Sequence, residues 1–367
     1  MVKKIIVLFT TVLICLFIFN IFSSFLVDKI LSFQYSAEKY HELSSNQGYT
    51  KEIIDFYDLH YKELHHLRQI QYHPIDVPEN LIFRKIGNDQ GLSILIQGDS
   101  WAEQYYIKKT KEKLEAYSKK MKYQFIHAGA SSYSPSLMAS QLNKIRNDFD
   151  LDPDYIIAVI DQTDIGDELC RYRDLREAKE GEIIVNPEPI NSFGGFQMRL
   201  LIDKYKNLYS NRYALIKMIH YLNFRIKSLV YSLDKEKNNC DYNDILGILE
   251  TGISVEDENY IIEIISDYIK IVFKDSKLKK LIIVTHPHEN HLNGIYTLNI
   301  EDLINKAVGS VNFGNKITTI SFTQALSTFS DLEISGVFKD GDKYSHLNNG
   351  YFLDYVLPKV IQSINPN

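Results

Sequence analysis

The sequence predicts an α/β protein built on a doubly wound, mostly parallel sheet, and two observations lead to this prediction. Short runs of β-branched and other apolar residues recur from residue 92 onward, and segments with helical periodicity separate them. Continuous apolar runs indicate strands that are buried on both faces, as in a parallel sheet. The alternation of strands with helices is the pattern of a doubly wound fold.

The individual elements follow from these patterns. Strands are expected at 92–97, 123–127, 155–160, 281–285 and 317–322. Helices are expected at 103–119, 135–146 and 261–273, the last because its apolar residues fall on one stripe. Residues 171–256 interrupt the alternation, since they are charged and rich in Tyr, with helices expected at 196–209 and 213–233. We interpret this stretch as a helical insertion that forms a lid or one wall of a cleft.

The N-terminal region predicts a membrane anchor. Lys3 and Lys4 precede an uncharged run over residues 5–27, and 23 residues in a helix would span about 34 Å, enough for a bilayer core. The run is longer than the apolar region of a typical cleaved signal peptide, and the lysines favour a cytoplasmic N-terminus. We therefore expect one transmembrane helix, a signal anchor over 1–27, with cleavage as the alternative. A helical stalk over 28–85 and an extracytoplasmic domain over 86–367 would follow.

Composition excludes several classes of protein. The net charge of −6 provides no basic stripe, so no nucleic-acid partner is expected. Cys15 lies in the apolar N-terminus, which leaves Cys170 and Cys240 as the one pair able to form a disulfide outside a membrane. One such pair is neither a disulfide framework nor a zinc motif. No cofactor and no bound metal are predicted.

Polar residues follow the first four predicted strands of the sheet, and a further polar segment lies near the C-terminus. Because ligands of an open parallel sheet bind beyond the carboxyl ends of its strands, these residues are expected to meet at one edge. The segments concerned are Gly98-Asp99-Ser100-Trp101, Gly129-Ala130-Ser131-Ser132, Asp161-Gln162-Thr163-Asp164, His286-Pro287-His288 and Asp340-Gly341-Asp342-Lys343-Tyr344-Ser345-His346.

Ser100 is the predicted nucleophile and His346 its base. Ser100 stands at a strand-to-helix junction, where the amides of a helix start can stabilise a developing negative charge. A serine needs a base to become a useful nucleophile, and carboxylates lie close upstream of His346 to fix its tautomer. Taken alone, the Gly-Asp-Ser triplet is equally compatible with an ordinary helix N-cap.

The order of these segments resembles that of the SGNH/GDSL hydrolase superfamily over roughly residues 88–365. That resemblance implies a flavodoxin-like SGNH fold, with Ser100 as nucleophile, His346 as base and a backbone amide of Gly129 in the oxyanion hole. Thr163 stands where the family has an asparagine donor, and Lys343 stands at the usual position of the acid. Asp342 is therefore the favoured acid, with Asp340 as the alternative.

The resemblance and the anchor together imply an acyl-transfer enzyme of the cell envelope. The expected activity is O-deacylation, or O-acetyl transfer, on an exported polysaccharide, so an acylated carbohydrate is the expected partner. Residues expected to contact substrate are Asp99, Trp101, Asp164, His286 and His288. Two alternatives remain open: a catalytically degenerate relative that binds glycans or scaffolds an export machine, and a metal-dependent phosphoesterase that uses His286 and His288.

Overall fold

In a computed structural model of the chain, the described residues are 2–34, 59, 77, 79–87, 91–179, 182–185, 213–234, 242–286, 288–296, 298–322, 326, 336–339 and 346–364. The chain forms two compact units, of which one comprises residues 1–67 with 188–239, and the other residues 68–187 with 240–367. The second unit contains the sheet and every predicted site residue that the structure describes.

The central sheet has six strands, five of them parallel. The strands are β1 Arg84–Gly87, β2 Leu92–Gln97, β3 Tyr123–His127, β4 Tyr155–Val159, β7 Lys280–Thr285 and β8 Ile317–Ser321. Their order across the sheet is β1-β3-β2-β4-β7-β8, and only β1 runs antiparallel, against β3. A mixed α/β fold with a mostly parallel sheet is therefore confirmed, and the five predicted strands agree with the structure to within one residue at each end.

Helices cover both faces of this sheet. On one face, Ile94 and Ile96 of β2 share a cluster with Leu114 and with the C-terminal helix. On the other face, the side chain of Gln97 bonds to the helices that contain Gln141 and Tyr268. Successive residues of a strand point to opposite faces, which is why a fully apolar strand needs helices on both. The helices of this unit are Glu79–Ile82, Ser100–Glu103, Lys108–Met121, Pro135–Phe149, Thr163–Asp167, Tyr242–Thr251, Val255–Phe273, Glu289–Leu292, Ile300–Ser310, Asn349–Tyr351 and Leu357–Ile364.

Two strand features were not predicted. Strand β1 has only four residues and pairs antiparallel at the edge of the sheet. Strands β5 (Arg176–Lys179) and β6 (Glu182–Val185) form an antiparallel hairpin inside the stretch expected to be helical. The insertion expected over 171–256 therefore contains this hairpin as well as helices. The hairpin was not predicted because four-residue strands are too short for their alternation to be distinguished from charged loop sequence.

The first unit contains two described helices that contact each other, Val2–Gln34 and Ala214–Asp234. The second helix confirms the predicted element at 213–233 to within one residue. Between Val7 and Phe22 the first helix exposes nearly all of its apolar side chains. No helix among the described residues is both long and apolar enough to cross a membrane. The side chains of residues 24–34 lie outside the described part of the chain, and the anchor stays a prediction. Most residues of the expected stalk, and the helix expected at 196–209, also lie outside the described residues.

Candidate active site

The strand order gives the sheet a switch point between β2 and β4. Counted along the chain, the five parallel strands lie in the order second, first, third, fourth and fifth. In sheets with this order, ligands bind beyond the carboxyl ends of the first and third strands. Here these ends lead into Gly98-Asp99-Ser100 and into Asp161-Gln162-Thr163, the segments in which the sequence predicted chemistry.

The turn after β2 depends on glycine and on a carboxylate cap. Gly98 has a φ of +140°, and a Cβ at this position would lie 2.4 Å from the carbonyl oxygen of Val159. Only glycine fits such a conformation at that distance. Asp99 then caps the short helix Ser100–Glu103, because its Oδ1 accepts a hydrogen bond of 2.8 Å from the amide of Trp101. Ser100 is thus held at the first position of a helix.

Ser100 and His346 lie within hydrogen-bonding distance of each other. The Nε2 atom of His346 is 2.9 Å from the Oγ of Ser100, across a separation of 246 residues, and both side chains are half-buried. The backbone on either side of His346 pairs with residues 337–339, through Lys339 N to His346 O (2.9 Å) and Asn348 N to Val337 O (2.6 Å). The contact between Ser100 Oγ and His346 Nε2 is the one that the nucleophile-and-base hypothesis requires. Asp340 and Asp342, the two candidates for the acid, lie outside the described residues.

Gly129 packs directly against the start of the nucleophile helix. A Cβ on Gly129 would lie 2.7 Å from the Cβ and 2.8 Å from the carbonyl carbon of Ala102. The next amide, that of Ala130, donates to the carbonyl of Gly98 over 2.9 Å. The turn after β3 therefore lies against the turn after β2, as a shared oxyanion hole would require.

Thr163 is engaged elsewhere. Its hydroxyl donates to the Oδ1 of Asp161 over 2.7 Å, and its amide donates to the same oxygen over 2.6 Å. Since a hydroxyl carries one proton, Thr163 would have to leave Asp161 before it could donate to an oxyanion. The side-chain donor predicted for the oxyanion hole is therefore committed to a structural bond.

Three buried carboxyl groups converge beside Ser100. Asp99, Asp161 and Asp164 have oxygen atoms within 4.8 Å of one another, and within the described residues they form the only group with the geometry of a metal site. Burial raises the pKa of Asp99 and of Asp164 well above the ordinary value, and the charge of Asp161 raises both further. These raised pKa values favour carboxyls that share protons over a fully charged cluster.

Aromatic rings stack beside the base. Trp101 contacts two imidazoles, with its ring centroid 5.1 Å from that of His286 in a parallel stack and 5.8 Å from that of His346. Phe322 also stacks on His286, at 5.2 Å. Burial lowers the pKa of His286 to about 3, and neither of its ring nitrogens has a partner among the described residues. His286 is therefore a neutral ring inside an apolar stack.

The residues expected to contact substrate are mostly buried. Asp99, Trp101, Asp164, His286 and His288 are each at most 3% exposed. In this structure they therefore do not line an accessible surface. Asp99 is a helix N-cap, Trp101 and His286 stack on each other, Asp164 accepts a hydrogen bond from the amide of Asp161, and His288 is the N-cap of helix Glu289–Leu292. Among the described residues, His286 and His288 belong to no group with the geometry of a metal site.

Three further residues make hydrogen bonds to the segments that follow β2 and β3 or to the loop of His346, and of these Gln104 was not predicted. The Glu103 carboxylate accepts a 2.9 Å bond from the amide of Ser131 in the turn after β3, and burial raises the pKa of Glu103 to about 7. Gln104 donates to a carbonyl in the loop of His346. Buried Glu168 accepts bonds from Ser134 and Ser136 at the start of helix Pro135–Phe149. The sequence signal for all three is weak, because polar residues at a helix start are common.

No known protein-family model matches this chain, and no curated protein is similar to it. The resemblance to SGNH/GDSL hydrolases therefore depends on the motifs and on their order along the chain.

Proposed function

We propose that this protein is a serine esterase of the SGNH/GDSL type that removes or transfers O-acyl groups on a cell-envelope polysaccharide. The observation that carries the proposal is the 2.9 Å contact between Ser100 Oγ and His346 Nε2 at the carboxyl edge of the sheet. A serine beside an imidazole at a helix start is the arrangement that activates a hydroxyl for acyl transfer.

The proposed reaction begins with proton transfer. His346 Nε2 accepts the proton of Ser100 Oγ, and the oxygen attacks the ester carbonyl carbon of the substrate. The amides of Ser100 and Gly129 stabilise the resulting oxyanion. When the intermediate collapses, the sugar oxygen leaves with the proton held by His346, and an acyl-serine remains. A water molecule then yields free acid, or a second sugar hydroxyl yields an acylated product, by the same steps in reverse.

The direct test is covalent labelling of the nucleophile. The chain is expected to react with a fluorophosphonate probe and to hydrolyse p-nitrophenyl acetate, and Ser100→Ala is expected to abolish both. Ser93→Ala is the matched control, because Ser93 lies at the opposite end of β2 and bonds to Asp154. Labelling that survives in Ser100→Ala, or wild-type protein that neither labels nor turns over ester, would refute the proposal.

A second candidate is a catalytically degenerate glycan-binding or export-scaffold protein of the same fold. The commitment of the Thr163 hydroxyl to Asp161 favours it, because loss of one oxyanion donor costs about 3 kcal/mol in the barrier. Isothermal titration with acetylated and deacetylated oligosaccharides separates the two candidates. Binding without labelling of Ser100 supports the scaffold, whereas acetate release supports the esterase.

We also propose that residues 1–27 anchor the chain and that the sheet domain is extracytoplasmic. The lysines before the apolar run and the exposed apolar side chains from Val7 to Phe22 support the anchor. Cys170 is disulfide-bonded, and stable disulfides are typical of oxidising compartments. Alkaline extraction of membranes, with protease access from the outer face, tests this. Protein released by carbonate at full length, or a sheet domain protected from outside protease, would contradict it.

A further inference from the structure

We propose that Gln104 is a positioning residue that holds the loop of His346 against the segment carrying Ser100. Gln104 begins the short 3₁₀ turn Gln104–Tyr106, directly after the helix that starts at Ser100, and its side chain is buried. Its Nε2 donates a 2.9 Å hydrogen bond to the carbonyl oxygen of Leu347, 243 residues away. The inference rests on the proposed function, since it assigns a role in aligning the base.

The bond joins two segments at the point where their alignment matters. Leu347 directly follows His346, and Gln104 lies four residues after Ser100 in a continuous helical segment. Two contacts of 2.9 Å therefore connect the same pair of segments, one between Ser100 and His346 and one between Gln104 and Leu347. A catalytic side chain must be held to about 0.5 Å, and a second fixed point limits rotation of the loop about the first.

The other backbone bonds of this loop serve a different purpose. The bonds from Lys339 N to His346 O and from Asn348 N to Val337 O connect the loop to residues 337–339. They give the loop its shape, but they do not connect it to the segment of the nucleophile. The amide of Gln104 provides such a connection.

The choice of glutamine is difficult to explain by stability. Its Oε1 atom is buried and has no partner among the described residues. An unpaired buried polar atom destabilises a fold, and an apolar side chain of similar size would avoid that cost. The amide is therefore better explained by the donor that it directs at Leu347 than by packing.

Trp101 provides a readout of this alignment that does not depend on turnover. It is the only tryptophan of the chain, and its ring centroid is 5.8 Å from that of His346. The emission of an indole depends on what its ring contacts, so Trp101 emission should shift when the His346 ring moves away, and His346→Gln gives the reference spectrum for loss of this contact.

The test compares Gln104→Met with the matched control Arg146→Met. Gln104→Met keeps the volume and removes the donor. Arg146 also donates hydrogen bonds to main-chain carbonyls, those of Ile271 and Val272. It bonds as well to Asp152, in the loop that precedes β4, and so contacts neither Ser100 nor the loop of His346 in these bonds. We expect Gln104→Met to lower kcat by about 10- to 100-fold with KM within about twofold, and to shift Trp101 emission toward that of His346→Gln. Arg146→Met should lower the melting temperature and leave both readouts unchanged.

Two measurements, kcat and Trp101 emission, decide whether Gln104 positions His346. A normal kcat or wild-type Trp101 emission in Gln104→Met would overturn the inference, and so would an equal loss of kcat in Arg146→Met. If Gln104→Met does not fold, Gln104→Asn takes its place, because its amide is one methylene too short to reach Leu347. If wild-type Ser100 never labels, the proposed function fails, and the Trp101 emission of Gln104→Met still decides whether Gln104 holds His346 in place.

Discussion

Substitution of Gly129 by alanine offers a sharp test of how the two turns of the site pack. The added Cβ would lie 2.7 Å from the Cβ of Ala102, whereas carbon atoms prefer about 3.5–4.0 Å, so the two backbones must separate by about 1 Å. Gly129 has no positive φ, and an alanine can adopt its backbone conformation. The effect is therefore steric and falls on the helix that begins at Ser100.

Two consequences follow for Gly129→Ala. Overpacking of this kind costs about 1–3 kcal/mol in the free energy of unfolding. A displacement of about 1 Å beside the nucleophile is expected to lower kcat by about 100-fold. Urea unfolding measures the first effect, and p-nitrophenyl acetate turnover or the rate of phosphonate labelling measures the second.

Gly247→Ala is the control for this experiment. Gly247 lies inside helix Tyr242–Thr251, and a Cβ there would meet nothing within 4 Å. The variant should be as active as the wild type and more stable by about 0.5–1 kcal/mol, because alanine is the better helix former. If Gly129→Ala keeps wild-type stability and labelling rate, the close packing of the two turns is wrong.

Further predictions concern pH and the turn after β3. Burial lowers the pKa of His127 to about 4, so the unfolded chain protonates this ring at a higher pH than the folded chain does. The free energy of unfolding should therefore be unaffected above pH 6.5 and should fall as pH drops from 6.5 toward 4. His127→Gln should remove this loss, which is on the order of 2–3 kcal/mol in urea unfolding. Burial raises the pKa of Glu103 to about 7, so the free energy of unfolding falls as pH rises from 4.5 to 7. The free energy of unfolding of Glu103→Gln should therefore exceed that of the wild type by up to about 3 kcal/mol at pH 8 and equal it at pH 4. Burial likewise raises the pKa of Asp164, so Asp164→Asn, which keeps an acceptor for the amide of Asp161, should raise the melting temperature at pH 8 more than at pH 5; a lower melting temperature at pH 8 would contradict the buried-carboxyl interpretation.

Much of the sheet could be predicted from the sequence because buried parallel strands are chemically distinctive. The run Leu92–Gln97 has no charged residue and ends at a glycine, so its length and its end are both visible in the sequence. The edge strand Arg84–Gly87 and the hairpin of β5 and β6 could not be predicted in this way, since each strand has four residues that include charged ones. Their pairing depends on neighbours that are distant in sequence.

The sequence by itself determined which polar residues follow the strands, because strand ends and chain order are local properties. It identified Ser100 and His346 as a candidate pair from residue type and order alone. Only the tertiary structure decided that Trp101 and His286 form a buried stack, that the Thr163 hydroxyl is committed to Asp161, and that Gln104 reaches Leu347. The physical reason is that burial and hydrogen-bond partners depend on distances between segments up to 246 residues apart, and no local pattern encodes those distances.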